Sequence, residues 1–341
     1  MTTKQHECRF ITAAKMFGRF WKIRKECIME NKSNKVRAIK DEFITSLQNG
    51  ELSELKKMVK ERKDLIICFR NKYINVYYKS HCLFKIEYKP IKKQYRVEFN
   101  LGHARYTKDW KTSFEKLQAD IPSLTYNENN YIAGFYIDEG SKPFDFSKIT
   151  GTYIRYINDF FDPGKTTYYI KQNKTETTTS KDNLKEKRHQ QRFFSEHFGN
   201  DDKFLVFDIE YTIPRDNSSE QHWGSPDCLA LKMADGMPVA IVLVEIKSTV
   251  KACNGKCGIK PHLKKYDSMI NEPSYHELIN RCAKEAICLY NKLGLLNIPD
   301  NAVNQINDLP LEKLFVFTSK EVEGYYKKLQ NCEKMFVDYD I

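Results

Sequence analysis

GSPDCLALKMADGMPVAIVLVEIKST, residues 224–249, decides how this chain is read. Asp235-Gly236 splits it into two apolar runs, and an Asp-Gly pair tolerates the positive φ that a tight hairpin turn requires. A hairpin centred near Gly236 makes cross-strand partners sum to about 472 in residue number, which sets Asp227 opposite Glu245. Pro238, just past the turn, leaves room for a small slip of register. Strand side chains alternate, so Glu245 and Lys247 share one face while Ile246 points to the other. Three charged groups therefore meet at one end of an apolar ribbon.

The surrounding chain has the makings of a folded protein. Hydrophobic residues are 41% of its 341 positions and aromatic residues 13%, enough to bury a core and too many for a disordered chain. Lys and Arg outnumber Asp and Glu by 56 to 45, a formal charge of +11. An excess of that sign suits a polyanionic partner. No apolar run reaches membrane-spanning length and the opening MTTKQHECRF is polar, so the expectation is a cytoplasmic protein with no membrane partner. Its ten cysteines are then read as thiols.

Outward from the hairpin, two differently patterned halves are expected. Residues 1–30 read as a basic amphipathic helix, followed by helices near 35–47 and 52–62. Short runs rich in Ile, Val, Tyr and Phe at 65–70, 73–79, 82–88 and 94–100 read as an antiparallel meander. Helices near 110–121 and 151–161 and a strand near 132–137 complete residues 1–165, an α+β domain assigned to recognition or partner binding. The Thr-rich stretch 166–180 reads as a linker or exposed loop. Residues 181–341 then run helix (181–198), strand (203–213), the hairpin, a Gly- and Lys-rich loop, helices at 261–270 and 274–293, a buried strand (313–319) and a helix (320–332). The segment 300–308 reads as caps and turns.

Pro226-Asp227 and Glu245-Ile246-Lys247, preceded by a helix and a strand, resemble the PD-(D/E)xK nuclease superfamily. The resemblance covers about the last half of the chain; residues 1–165 carry none. It implies an α/β fold class, mixed α+β overall. The C-terminal half would be a restriction-endonuclease-like α-β-β-β-α-β core with a mixed central sheet, behind an N-terminal domain containing the meander. It also implies a nuclease using Mg²⁺ or Mn²⁺, with Asp227 and Glu245 as catalytic metal ligands and the Ile246 backbone carbonyl as a further ligand. An acid of the preceding helix often joins that shell, which points to Glu186.

The residue chemistry supports the same reading. Paired carboxylates are costly unless a divalent cation sits between them, and oxygen-only ligands suit Mg²⁺ or Mn²⁺. Such an ion polarises phosphate and lowers the pKa of bound water, while Lys247 orients that water or stabilises developing charge. Gln190 lies one helical turn from Glu186 and supports it. Glu210, on the strand after that helix, is the alternative or additional ligand. Lys251, Lys256, Lys260, Lys264 and Lys265 follow the active strand, where a nucleic-acid backbone has to enter. Cys253-x₃-Cys257 with His262 beyond it is spaced for zinc but lacks an evident fourth ligand, and is read as a thiol pair in a flexible loop. The expected partner is nucleic acid, DNA before RNA, with a homodimer as a possible assembly. The competing expectation is a nuclease fold that binds nucleic acid or assembles without turnover.

Overall fold

The computed structural model describes residues 37, 39–78, 81–106, 109–127, 131–161, 181–199, 203–210, 225–330 and 332–339. The expected helix at 1–30 and the linker at 166–180 lie outside them. The fold is mixed α+β with two sheets, one antiparallel and one mixed.

The first sheet follows a helical pair, α1 (Asp41–Asn49) and α2 (Ser53–Glu61). It contains β1 (Leu65–Phe69), β2 (Tyr73–Tyr78), β3 (His81–Lys89), β4 (Gln94–Asn100), β5 (Thr125–Asn127) and β6 (Ile132–Asp138), in the order β1-β2-β3-β4-β6-β5. Every pairing in it is antiparallel, as the meander pattern foretells. Helices α3 (Trp110–Asp120) and α4 (Ser147–Phe161) accompany it. Helix α1 starts later than its apolar periodicity suggests: Lys40 is extended, and the acids Asp41 and Glu42 take the first turn, where the helix dipole favours them. Helix α4 starts earlier, because Asp145 Oδ1 accepts the Ser147 N–H at 2.9 Å and caps the open end.

The second half opens with α5 (Lys181–His197) and β7 (Phe204–Ile209). The hairpin follows as β8 (Cys228–Ala234) and β9 (Met237–Lys247). Asp235 and Gly236 have φ of 51° and 75°, the two positive angles of a tight hairpin turn. Partners from Cys228↔Val244 to Lys232↔Ala240 keep the expected register, and the slip falls beside Pro238, between Lys232 and Met233. After β9 come α6 (Val250–Cys253), α7 (Ile259–Ile270), α8 (Pro273–Lys292), α9 (Asp300–Gln305), β10 (Leu311–Phe317), α10 (Glu323–Lys328) and β11 (Glu333–Phe336).

Two of these correct the sequence reading. The segment expected to be turns contains α9, whose Ala302 and Val303 are buried. The expected last helix yields to α10 and a fifth strand, because β11 pairs in parallel with β10 from Leu314↔Glu333 to Phe317↔Phe336. Half-burial of all four β11 residues left no periodicity to read. Strand order is β11-β10-β9-β8-β7, with β9 central, antiparallel to β8 and parallel to β10. From Ala240 to Lys247 every β9 side chain is buried, as a continuous apolar run with covered faces requires.

Alternation divides this sheet between two packed layers. Leu229, Leu231, Ile241 and Leu243 join Tyr266, Met269 and the buried side of α8. Ala230, Val242, Val244 and Ile246 join Phe193 and Phe194 of α5, together with Ile66, Cys68 and Tyr77 of the first sheet. Both halves of the chain thus contribute to each layer. The hydroxyl of Tyr290 lies 2.7 Å from Ile67 O and 3.1 Å from Phe207 O, bridging β1 to β7.

Candidate functional site

Asp227 stands one residue before β8, and extending the hairpin register sets it across from Glu245 at the far end of β9. Alternation aims both acids, and Lys247, toward the layer that contains α7. Asp227 Oδ2 accepts the Ile246 N–H at 2.7 Å, and Asp227 Oδ1 accepts from Gln190 Nε2 at 2.5 Å. The expected convergence of Asp227, Glu245 and Lys247 is therefore present, with Gln190 bound directly to Asp227. Helix α5 comes from the opposite face of the sheet, pinned there by Phe193 and Phe194, and reaches round the strand ends to deliver Gln190.

Glu245 is held from three sides. Lys247 Nζ donates to Oε1 at 2.5 Å, and His262 Nδ1 lies 2.7 Å from the same oxygen. Tyr266 donates to Oε2 at 2.5 Å. His262 Nδ1 is also 3.3 Å from Lys247 Nζ. Burial alone opposes ionisation of Glu245, but the His262 contact and the Lys247 ammonium bring its carboxyl down to about 2. Burial likewise disfavours the Lys247 cation, yet Glu245 and Asp227 keep it charged, above the usual lysine range. Tyr266 stays a protonated donor, pushed up by burial and by Glu245.

Asp227 behaves oppositely to Glu245. Burial, then the negative charges of Glu245 and Glu186, push its carboxyl well above the usual range, against the pull of Lys247 and the Ile246 N–H. Glu186 is raised as well, chiefly by burial, with Glu245 adding to it and Lys247 opposing. One turn of α5 separates Glu186, which belongs to the same charge cluster, from Gln190, which donates to Asp227. Three acids facing one lysine and one histidine leave an excess of negative charge. Either a proton on Asp227 or a bound cation relieves it.

The chemistry of the donor set fits a hard divalent ion. Its oxygens come from Asp227, Glu245 and Glu186, and each carboxylate oxygen that accepts one hydrogen bond retains a second lone pair. Gln190 Oε1 is buried and has no hydrogen-bond partner among the described residues. No set of three or more His, Cys, Asp or Glu side chains is preassembled as a metal cage among the described residues.

Glu210 sits differently from its expected place. It lies past the end of β7 with φ of 48°, and its N–H donates to Asp227 O at 3.0 Å. The β7 register shifts between Val206 and Asp208, so Ile209 joins the layer of Phe204 and Val206 and simple alternation fails there. Asp208, two residues before Glu210, is fully buried against Arg37, 2.5 Å away, and Arg70. The guanidiniums hold its carboxyl below the usual range despite burial.

The basic residues after β9 occupy a helical corner. Thr249 Oγ1 accepts the Ala252 N–H at 3.1 Å to start α6, which holds Lys251; Lys256 lies in the next tight turn, and Lys260, Lys264 and Lys265 lie on α7. All but the half-buried Lys265 are exposed. Of the zinc-like spacing, Cys253 is buried, which pushes its thiol up to about 11, His262 is engaged at Glu245, and the Cys257 side chain lies outside the described residues.

Sequence reasoning leaves out Tyr266 and reads His262, at a helix start from which it could reach a metal-bound water or a phosphate, as structural. Their signal was the i, i+4 spacing on a helix that follows the active strand, which places both on one face. Among the described residues, no helix is long and apolar enough to cross a membrane. No family model matches the chain, and neither does any curated protein or solved structure.

Proposed function

We propose that this protein is a metal-dependent nuclease hydrolysing phosphodiester bonds, with DNA the favoured substrate. In this reading residues 181–341 form a restriction-endonuclease-like core of the PD-(D/E)xK kind, and residues 1–165 form a recognition or partner-binding domain. The observation that carries it is the joining of Asp227 to the Glu245-Ile246-Lys247 strand through the Ile246 N–H, beside a lysine kept charged by buried carboxylates.

Asp227, Glu245, the Ile246 carbonyl and Glu186 would hold Mg²⁺ or Mn²⁺, with Glu210 as a further candidate. When bound, the ion supplies Lewis acidity toward a phosphate oxygen and lowers the pKa of water. The chain's own groups do the rest. Gln190 and the Ile246 N–H fix the Asp227 carboxylate, and Tyr266 and His262 fix that of Glu245. Lys247 offers an ammonium to the charge that develops on phosphate oxygens. The lysines of α6 and α7 attract the polyanion.

Purified protein incubated with single- and double-stranded DNA and RNA, in Mg²⁺, Mn²⁺ or EDTA, tests the reading. Cleavage that needs the metal supports it, and absence of cleavage on every substrate contradicts it. One observation favours the rival reading, a nuclease fold that binds without turnover: the four oxygens of Asp227 and Glu245 already have hydrogen-bond donors. That rival predicts binding without cleavage and no change of melting temperature with metal.

A further inference from the structure

The flank of α5 turned away from the site borders a second, unassigned cavity of about 730 Å³. That size lies within the range of ligand-binding clefts. Its walls come from both halves of the chain: Lys63 and Asp64 from the turn before β1, Lys185, Arg188, Gln191 and Arg192 from α5, and Tyr339 from the segment after β11.

Charge and hydrogen bonding both point to the occupant. Four cations line the cavity, against the acids Asp64 and Glu196. Arg192 is anchored, lying 4.6 Å over the Tyr339 ring and 2.9 Å from Glu196, and Lys185 sits 3.2 Å from Glu321. Arg192 and Lys185 are thus each paired with an acid at the rim. Gln191 is only 3% exposed. Its Nε2 donates to Asp64 O at 3.1 Å, while its Oε1 has no partner among the described residues. A buried, unpartnered acceptor beneath a basic rim calls for a ligand that carries both anionic oxygens and a donor. A nucleic-acid strand has both, in its phosphates and its base N–H or sugar O–H groups.

We infer that this cleft is a second nucleic-acid contact, holding the phosphate backbone of the strand that is cut on the other side of α5. The inference rests on the nuclease reading for the identity of that strand. Helix α5 then serves two surfaces: Glu186 and Gln190 turn to the metal-binding acids, and Arg188 and Arg192 turn to the flanking backbone. The lysines of α6 and α7 form a separate basic surface after the active strand, so the strand is gripped at two places.

Binding of a labelled DNA oligonucleotide to the full chain is measured by fluorescence anisotropy in EDTA, where no metal-dependent cleavage occurs. Lys63→Glu with Arg188→Glu alters exposed side chains, and its melting temperature is measured alongside so that a loss of binding is compared at equal foldedness. The double variant is expected to weaken binding by about tenfold or more and to reduce the slope of log K against log salt by about 0.7 for each phosphate no longer neutralised. Gln191→Met, which keeps volume and removes the acceptor, is expected to weaken binding severalfold with the salt slope unchanged. Affinity and salt slope equal to wild type in both variants would overturn the inference. Cleavage in Mg²⁺ is followed in parallel. Cleft-dependent binding without any cleavage would contradict the nuclease reading while supporting the cleft. Cleavage with cleft-independent binding would do the reverse.

Discussion

The main-chain N–H of Ile246 donates to Asp227 Oδ2 at 2.7 Å, so the acid before β8 is tied to the strand that bears Glu245 and Lys247. A carboxylate bound to a strand backbone cannot swing away from its neighbours. The acids are thereby kept near one another, and burial first, then repulsion from Glu245 and Glu186, raises the carboxyl of Asp227.

Asp227→Asn is expected to raise the melting temperature in EDTA by a few degrees. An acid whose folded pKa is raised costs stability once the pH exceeds its unfolded value, near 3.9, and that cost grows until the folded value is passed. The amide removes the charge yet keeps an acceptor for the Ile246 N–H, and the Gln190 amide can turn its unpartnered Oε1 toward it. Differential scanning fluorimetry at neutral pH measures the change; a lower melting temperature would contradict the repulsion.

Lys247→Ala is expected to cut kcat by about 10²–10³-fold with a much smaller effect on DNA binding, as for loss of one preorganised donor to developing charge. Steady-state kinetics and an anisotropy titration on the same variant separate the two.

Tyr266→Phe removes the hydroxyl from Glu245 Oε2 and leaves the ring packed. The expected loss is about 1 kcal/mol of stability, the worth of one such bond, with cleavage slowed several-fold because Glu245 is less firmly aimed. Chemical denaturation and rate measurements on the variant decide it, and an unchanged rate would show that Tyr266 does not orient Glu245.

Asp208 makes a structural prediction distant from the chemistry. Asp208→Ala leaves Arg37 and Arg70 buried without their counter-charge and is expected to cost about 3–5 kcal/mol, seen as a lower urea midpoint. The pH dependence has a definite sign. Asp208 has a lowered folded pKa, so its contribution is present above the ordinary carboxylate range and is lost as pH falls through the folded value. The difference in stability between wild type and variant should therefore shrink in acid.

Much of this was legible before the structure. The Asp235-Gly236 turn and the apolar alternation around it are local signals, and they place Asp227, Glu245 and Lys247 together without knowledge of anything else. Gln190 followed from helical spacing. The remainder depends on contacts distant in sequence. Nothing near Asp208 shows that Arg37 and Arg70 will be its partners, and the shifted register in β7 cannot be seen in the run Phe204–Ile209. Strand β11 is short and half-buried throughout, so its place is set by β10 and not by its own pattern. Tyr266 becomes informative only once α7 is laid against β9.

The most direct test of the central claim is DNA cleavage by wild type, Asp227→Asn and Lys247→Ala side by side, in Mg²⁺ and in EDTA. Cleavage by wild type is expected in Mg²⁺ and not in EDTA, with loss of at least about 10²-fold in each variant. Cleavage by either variant at the wild-type rate, or by wild type in EDTA, would contradict that claim.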